Sequence, residues 1–416
     1  MKIFGLLLYL YREKVLSSKL KYNCIFGGGG IRGLCHIGAL KALNDLGVEI
    51  GAVAGSSVGA VFSALYAVGY SVAEIKDIFF DVNFTLFRDL NIDIFSNDIS
   101  FSKGEVFYEW LKDKIGEKFY GKKYNRENSP KVTFKDLKID LNILTLDFNT
   151  STPFIFSKEN TPDEEVAFAV RASASLPGLM KPVPYNELLL VDGDLTKSWP
   201  AFKLYTNMDT SETRLIEFRL EGSRVSSEIK NPFDYTNSII STVWYLSTEN
   251  VYNSYYQNDR YDYVVMDSKD VILFDFSIDK DVKQHLIDIG YQTTIDYFKN
   301  TLVSKKEKIL SCYKNILLRI NLMENAIRQK QVNNTILLVN DILASMFDDC
   351  KYIDISFYEI IKNLKENILL NSKKLMLSKM FVNPKQLIEE TKFVKCSLES
   401  KIDDLVNYIK KYRNIS

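Results

Sequence analysis

The sequence predicts an α/β fold, with a central, mostly parallel sheet sandwiched by helices and a C-terminal helical domain after it. The sheet is indicated by a pattern that occurs twice before residue 70, in which a short apolar strand runs into a glycine-rich turn and then into a helix. The helical domain is indicated by the turn-forming residues. All 19 glycines lie at or before Gly290, and Pro384 is the only proline after Pro232.

The two strand–turn–helix units are read from the order of their residues. The first strand, residues 23–26, runs into four consecutive glycines, and helical spacing then continues from Leu34 until Gly47 stops it. The second strand, residues 50–54, ends in the turn Gly55-Ser56-Ser57-Val58-Gly59, and a second helix follows. Later strands are predicted at residues 141–147, 153–156, 188–191, 214–219 and 263–266.

Three regions are predicted along the chain. Residues 1–20 form a short amphipathic helix whose apolar run, residues 4–11, is followed by charged residues; residues 21–302 form the α/β domain, and residues 303–416 form the helical domain. From Thr301 onward the apolar residues recur at steps of three and four, and 20 lysines and arginines face 13 acidic residues, a net charge of +7.

Composition excludes several classes of protein. The whole chain has 53 basic and 53 acidic residues, so a basic footprint for nucleic acid is absent. No stretch approaches the roughly 18 apolar residues of a membrane span. The five cysteines are widely spaced and only two histidines accompany them, which predicts reduced thiols in the cytoplasm and no structural zinc.

The first glycine turn contains Gly28-x-Gly30-x-x-Gly33, which fits a dinucleotide fingerprint. A nucleotide site also needs an acidic residue at the end of the second strand, and Ser56 and Ser57 stand there instead. The turn does supply backbone N–H groups at the start of a helix, which suit any negative charge, including a developing oxyanion.

The second glycine turn is a Gly-x-Ser-x-Gly motif between a strand and a helix. In that context the turn lifts the Ser57 hydroxyl above the sheet edge, so Ser57 is a candidate nucleophile. A serine nucleophile needs a base. His36 and His285 are the two histidines available, and Asp192 follows the strand at residues 188–191, where it could act as a base or mark a simple Asp-Gly turn.

Together these residues resemble the patatin-like phospholipase family. The resemblance covers roughly residues 20–300 and ends in a closing strand and helix from residue 274 to Tyr297. Its motifs are an oxyanion loop, a serine elbow, a segment before the aspartate strand and an aspartate motif, which match residues 28–33, 55–59, 171–178 and 192–193. Two departures stand out: the third position of the aspartate motif is Asp194 instead of glycine or alanine, and the chain after about residue 302 has no counterpart.

The resemblance implies a catalytic dyad with no metal and no cofactor. Ser57 would attack an ester carbonyl, and Asp192 would take and return the proton. The N–H groups of Gly28, Gly29 and Gly30 would hold the oxyanion. Arg32 would bind a lipid phosphate, or else it is a surface arginine at the start of a helix.

The function expected on these grounds is a phospholipase A type of lipid acyl hydrolase, in the cytoplasm or peripheral at a phospholipid membrane. Residues 4–11 and basic pairs such as Lys373-Lys374 and Lys410-Lys411 could meet the membrane, although such lysines also suit a solvated helix face. A protein activator or a second copy of the chain could bind the C-terminal helices. Two alternatives stay open: a general esterase or thioesterase, and a non-catalytic interaction protein with a partner-binding helical tail.

Overall fold

The computed structural model of the protein describes residues 21–87, 102–195, 213–222, 261–268, 278–329 and 384–413, together with residues 238, 242 and 271. These residues form two compact units, a sheet unit that ends at Ile295 and a helical unit that begins at Asp296. The predicted domain bounds stay a prediction. The helix predicted at residues 1–20, the closing strand from residue 274 and the lysines at positions 373 and 374 lie outside the described residues.

A mixed sheet forms the centre of the sheet unit. Within the described residues its strands are β1 (Lys21–Phe26), β2 (Glu49–Gly55), β3 (Asp140–Asp147), β4 (Thr152–Ser157), β5 (Val183–Tyr185), β6 (Leu188–Asp192), β7 (Thr213–Glu221) and β8 (Tyr261–Asp267). All seven strands predicted within these residues are confirmed, and β5, of three residues, was too short for its pattern to predict it.

Parallel and antiparallel pairs occupy different parts of the sheet. β1 lies between β2 and β7, β8 follows β7, β3 follows β2, and all of these pairs are parallel. The antiparallel pairs are β3 with β4, β3 with β6 and β5 with β6. The sheet is therefore mixed, with its parallel part centred on β1.

β2 and β6 share one edge of β3 and meet there end to end. Gly55 of β2 pairs with Ile143, and Asp192 of β6 pairs with Thr145. β2 runs parallel to β3 and β6 runs antiparallel to it, so the carboxyl ends of β2 and β6 face each other across Leu144. This arrangement brings the turn after β2 next to the end of β6.

Six helices of the described residues accompany this sheet, and two of them follow the glycine turns as predicted. In the described part of the sheet unit they are α1 (Cys35–Asp45), α2 (Val58–Val68), α3 (Val72–Asp81), α4 (Glu105–Tyr120), α5 (Val166–Ser173) and α6 (Lys280–Asp296). α2 packs on β1, β2 and β3, and α5 packs on β3 and β6. The predicted α/β fold, a central sheet accompanied by helices, is confirmed.

Apolar side chains from five strands form one buried cluster in the middle of the sheet. Ile25, Ala54, Leu144, Leu215 and Tyr261 come from β1, β2, β3, β7 and β8 and are at most 5% exposed. Burying a large apolar side chain contributes roughly 1.5–3 kcal/mol. The strand ends that carry the candidate site residues are therefore anchored by the core of the unit.

The helical unit contains α7 (Val303–Arg328) and α8 (Pro384–Arg413), which pack against each other. The predicted spacing on α7 is confirmed, because Ile309, Ile316, Ile320, Met323 and Ile327 are all buried. None of the helices that the structure describes is both apolar enough and long enough to cross a membrane.

Gly59 in the first turn of α2 lies against the end of β1, and a Cβ at this position would come within 1.9 Å of the Phe26 carbonyl oxygen. We expect Gly59→Ala to lower the free energy of unfolding by about 3 kcal/mol, because a backbone contact cannot give way as a side chain can. Chemical denaturation measures the loss.

Gly47→Ala is the matched control. A Cβ at Gly47, just after α1, meets nothing within 4 Å, and only its φ of +66° opposes the substitution. That strain costs about 1–2 kcal/mol. Equal losses in the two variants would contradict the close approach of α2 to β1.

Candidate active site

Ser57 occupies the turn between β2 and α2 in a strained backbone conformation. Its φ of 51° and ψ of −127° lie in a region that residues with a side chain rarely adopt. Such a conformation costs of order 1–3 kcal/mol and is found where a side chain must be presented in one direction. This is the geometry of a nucleophile elbow, as the Gly-x-Ser-x-Gly motif predicted.

The elbow is held through the gap between β2 and β6. The backbone N–H of Ser57 donates to the Ser173 hydroxyl at 3.1 Å, and that hydroxyl donates to the Leu144 carbonyl at 2.6 Å. Leu144 lies between the last residue of β3 that pairs with β2 and the first that pairs with β6, so it has no partner residue in either strand. Ser173 thus satisfies a buried carbonyl and fixes the backbone of Ser57 at once.

Asp192 ends β6 beside this turn and is 1% exposed. Its Oδ1 accepts the backbone N–H of Asp194 at 2.8 Å, and the Ser57 side chain lies beside it. Burial is the main cause that raises the pKa of Asp192 to about 7; the negative charge of Asp194 adds to the rise, and the N–H of Asp194 and the Ser57 side chain oppose it. The structure therefore brings together the two residues of the predicted dyad.

A carboxylate with a pKa close to neutrality suits proton transfer. Near pH 7 such a group can take a proton from a hydroxyl within hydrogen-bond reach and return it later. An ordinary aspartate, with a pKa near 3.9, would be a weak base at that pH. The arrangement can therefore activate Ser57 for attack on a carbonyl carbon.

The end of α5 and the residues just after it support both members of the pair. Ser173 holds the backbone of Ser57, and the carbonyl of Ser175 accepts the backbone N–H of Asp192 at 3.0 Å. The buried Arg171 side chain fixes this segment, since its Nε donates to the Gly104 carbonyl at 3.1 Å and its Nη1 donates to the Ser175 hydroxyl. This explains structurally why the segment at 171–178 belongs with the elbow and the aspartate motif.

The glycine loop approaches the elbow at Gly28. A Cβ at Gly28 would lie 2.8 Å from the Asp194 carboxylate and 2.9 Å from Cβ of Ser57, so a side chain does not fit. The N–H of Gly28 donates to Oδ1 of Asp194 at 3.1 Å. The role of Gly28, Gly29 and Gly30 as oxyanion donors stays a prediction, and in this structure the N–H of Gly28 is bound to Asp194.

Arg32 is buried, with 7% exposure, and its Nε donates to the carbonyl of Val271 at 2.8 Å. Burial lowers the pKa of this guanidinium. The alternative of a surface arginine at a helix start is therefore wrong. The predicted contact with a lipid phosphate stays a prediction, and it has to accommodate a side chain that already binds the backbone.

The two histidines lie in different surroundings. His36 is fully buried, its Nε2 lies 2.8 Å from the Gly27 carbonyl oxygen, and burial lowers its pKa to about 4. It supports the glycine loop as a neutral ring. His285 is exposed on α6. Of the three candidate bases, Asp192 is the one for which the structure shows an interaction with Ser57.

Sequence reasoning missed three residues around the site. Ser56 is fully buried and its hydroxyl donates to Oδ1 of Asp194, and Arg219 of β7 is 6% exposed with Nη1 at 3.7 Å from the same oxygen. Ser173 is the third. A signal existed for Arg219, since a charged residue flanked by apolar residues in a central strand indicates a buried ion pair. The serines carry no comparable signal.

The raised pKa of Asp192 predicts how the free energy of unfolding depends on pH. A carboxyl whose folded pKa lies above its unfolded value binds a proton more tightly when folded, so it costs stability as pH rises from about 4 to about 7. We expect Asp192→Asn to raise the free energy of unfolding at pH 8 by ~2 kcal/mol or more, and to change it little at pH 4. Denaturation at both pH values measures this.

Asp147→Asn is the control of opposite sign. Hydrogen bonds from Thr150 and from backbone N–H groups, that of Leu189 among them, lower the pKa of Asp147, so its charge favours folding above the unfolded pKa. The Asp147 variant should lose stability at pH 8. A loss of stability in the Asp192 variant at that pH would contradict a raised pKa at Asp192.

Comparisons with known proteins agree with these motifs. Residues 24–204 match the model of the patatin-like phospholipase family. Uncharacterized protein R571 of Acanthamoeba polyphaga mimivirus is 28% identical over 291 residues, which cover 68% of this chain and 94% of that protein. Lysophospholipase NTE1 of Yarrowia lipolytica is 27% identical over 194 residues, which cover 46% of this chain and 12% of that protein.

A solved structure shares the fold. VipD from Legionella pneumophila aligns with a TM-score of 0.50 at 15% identity, over 96% of this chain and 92% of that one. At that identity the likeness concerns the fold alone. Residues 24–204 match the patatin-like phospholipase family, and the resemblance predicted from the motifs is confirmed.

Proposed function

We propose that the protein is a metal-independent lipid acyl hydrolase of the phospholipase A type, with Ser57 as nucleophile and Asp192 as base. The observation that carries the proposal is the position of the Ser57 side chain, on a strained elbow, beside the buried carboxylate of Asp192, whose pKa is raised to about 7. The family of residues 24–204 supports a lipid as the substrate.

In the first step the Ser57 hydroxyl oxygen bonds to the carbonyl carbon of a fatty-acyl ester, and its proton passes to Asp192. The carbonyl oxygen becomes an oxyanion, for which we propose the N–H groups of Gly29 and Gly30 as donors, because that of Gly28 binds Asp194. The carbon–oxygen bond to the alcohol then breaks, and Asp192 returns the proton to the leaving alcohol.

The second step repeats the chemistry with water. Asp192, again ionised, takes a proton from a water molecule whose oxygen attacks the acyl-enzyme carbonyl carbon. The bond to Ser57 breaks, the serine oxygen regains a proton from Asp192, and the fatty acid leaves. The two steps together consume one ester and one water and yield one alcohol and one fatty acid.

We propose a phospholipid membrane surface as the partner, with the hydrolase domain at residues 21–302 and a cytoplasmic or membrane-peripheral location. Support comes from the family and from the name of the Yarrowia relative, a lysophospholipase. The basic α8, with Lys410 near its end, suits an anionic surface, a protein activator or a second copy of the chain. A general esterase would share the dyad, so the choice of substrate in the test matters.

The first test is fatty-acid release from vesicles of phosphatidylcholine and phosphatidylglycerol, with EDTA present. We expect the parent to release fatty acid, and Ser57→Ala and Asp192→Asn each to lose at least about 10³-fold in rate, because nucleophile and base act as a unit. Ser63→Ala is the matched control, since Ser63 is a fully buried serine of α2 whose hydroxyl has no partner within the described residues.

A parent that cleaves soluble short-chain esters but not vesicle lipid would favour the general esterase. Absence of hydrolysis, together with a Ser57 that no fluorophosphonate probe labels, would overturn the enzyme proposal in favour of the non-catalytic interaction protein. Loss of activity in EDTA would contradict the metal-independent mechanism.

The pH dependence is a separate prediction. Because the base acts as a carboxylate and its pKa is raised, kcat/KM for a neutral soluble ester should rise with pH through about 7 and level off above it. An initial-rate series from pH 5 to pH 9 measures the midpoint. A midpoint near 4, the usual range of aspartate, would show that Asp192 is not the base or is not buried in the working enzyme.

A further inference from the structure

Asp194 stands where the family usually has glycine or alanine, and its contacts join the three motifs of the site. Its carboxylate Oδ1 accepts the N–H of Gly28 in the oxyanion loop at 3.1 Å and the hydroxyl of Ser56 in the elbow. Its own backbone N–H donates to Asp192 at 2.8 Å. One residue therefore contacts the oxyanion loop, the elbow and the base.

A buried cation faces this carboxylate from the neighbouring part of the sheet. Nη1 of Arg219 lies 3.7 Å from Oδ1 of Asp194, and both side chains are less than a tenth exposed. Nε of Arg219 forms an ion pair with Glu217, and the Glu217 carboxylate accepts the hydroxyl of Tyr261 on β8. β7 thus holds the arginine in place between two carboxylates.

An anion at this position needs such a cation. The site already holds Asp192, and the proposed reaction places an oxyanion near the glycine loop, so a second bare carboxylate would oppose both charges. Buried charges interact strongly because little water screens them. Arg219 offsets the charge of Asp194 while leaving its hydrogen bonds to Gly28 and Ser56 intact.

We propose that Asp194 and Arg219 are a pair of positioning residues, in which Asp194 locks the oxyanion loop and the elbow to the base and Arg219 supplies its counter-charge. The inference rests on the proposed Ser57–Asp192 hydrolase. Neither residue touches the substrate. The pair sets the geometry of the dyad and the field in which Asp192 ionises.

The groups that determine this field come from several elements. They are Asp194 beside Asp192 at the end of β6, Ser57 on the elbow, Arg219 and Glu217 on β7, and Tyr261 on β8. Arg171 of α5 also lies near, but its guanidinium binds the carbonyls of Gly104, Lys103 and Lys181 and the Ser175 hydroxyl. The Asp194–Arg219 pair is the part of this set that can be altered without touching the dyad.

The principal variant is Asp194→Asn, which keeps the size of the side chain and an acceptor oxygen but removes the charge. We expect kcat to fall about tenfold and KM to stay within about twofold of the parent. The hydrogen bonds that hold the oxyanion loop and the elbow weaken, whereas contacts with the substrate do not change. The acid limb of kcat/KM should move to lower pH by about half a unit or more, since a negative charge beside Asp192 is lost. A soluble neutral ester is the substrate.

The second variant is the double substitution Glu217→Gln with Arg219→Gln, which removes the cation without leaving a charged carboxylate at position 217. It should move the acid limb to higher pH, the opposite direction, because Asp194 then stands without its counter-charge. In the Asp194→Asn background the same two substitutions should no longer move the limb. This non-additivity is the mark of a cation that acts through Asp194.

Asp262→Asn is the matched control. Asp262 of β8 is fully buried and pairs with Arg214 of β7 at 3.1 Å and with the Tyr22 hydroxyl of β1 at 2.8 Å, so it repeats the Arg–carboxylate–Tyr chemistry on β7 and the two strands beside it. Arg214 lies five residues from Arg219, roughly 16 Å along β7. The Asp262→Asn variant should lose stability but keep the parent kcat and the parent acid limb in the pH profile of kcat/KM.

The pair is supported if the acid limb moves to lower pH in Asp194→Asn and to higher pH in the double variant. The double substitution should also leave the limb in place in the Asp194→Asn background. The inference is overturned if Asp194→Asn keeps the parent kcat and pH limb, or if Asp262→Asn shifts them equally. Should the double variant at positions 217 and 219 fail to fold by circular dichroism, the comparison of Asp194→Asn with Asp262→Asn decides alone. Hydrolysis that depends on Ser57 but not on Asp194 would refute only the pair, whereas a parent without hydrolysis or Ser57 labelling would refute the dyad and the pair together.

Discussion

The candidate site depends on two strands that end against each other on one edge of β3. β2 and β6 arrive from opposite directions, and Leu144 lies opposite the break between them. The break leaves a buried carbonyl without a ladder partner, and the Ser173 hydroxyl fills that position while accepting the N–H of Ser57. The separation of Ser57 and Asp192 is therefore set by the register of a sheet, which is stiffer than a loop, and the same strands form the buried core beneath.

The site also contains a cluster of buried charged side chains. Asp192, Asp194, Glu217 and Arg219 are all less than a tenth exposed, and each has an opposite charge or a hydrogen-bond donor within reach. Such a cluster favours a unique arrangement more than it favours stability, because desolvation offsets much of the attraction. The raised pKa of Asp192 and the strained backbone of Ser57 both lower the stability of the fold. Both result from holding these two side chains in fixed positions.

The sequence predicts most of the fold because its periodic patterns are local. Seven strands, the helices after both glycine turns and the spacing on α7 follow from such patterns, and the motif residues Ser57 and Asp192 do come together. The direction of β6 did not follow from its local pattern: β6 is antiparallel to β3 and meets β2 end to end. Long-range pairing has no local signature, and for the same reason the bond from Gly28 to Asp194, the burial of Arg32 and the partner of Arg219 could not be predicted.

The meeting of β2 with β6 also bears on when the site can form. Ser57 and Asp192 lie about 135 residues apart in the sequence, and the strand that aligns them, β3, lies between. Contacts of such high sequence separation form late in folding, after loop closure has been achieved. During synthesis the elbow therefore leaves the ribosome well before Asp192, and a chain that stops short of β6 has Ser57 without its proposed proton acceptor. Under the proposed mechanism, such incomplete chains would have no hydrolytic activity.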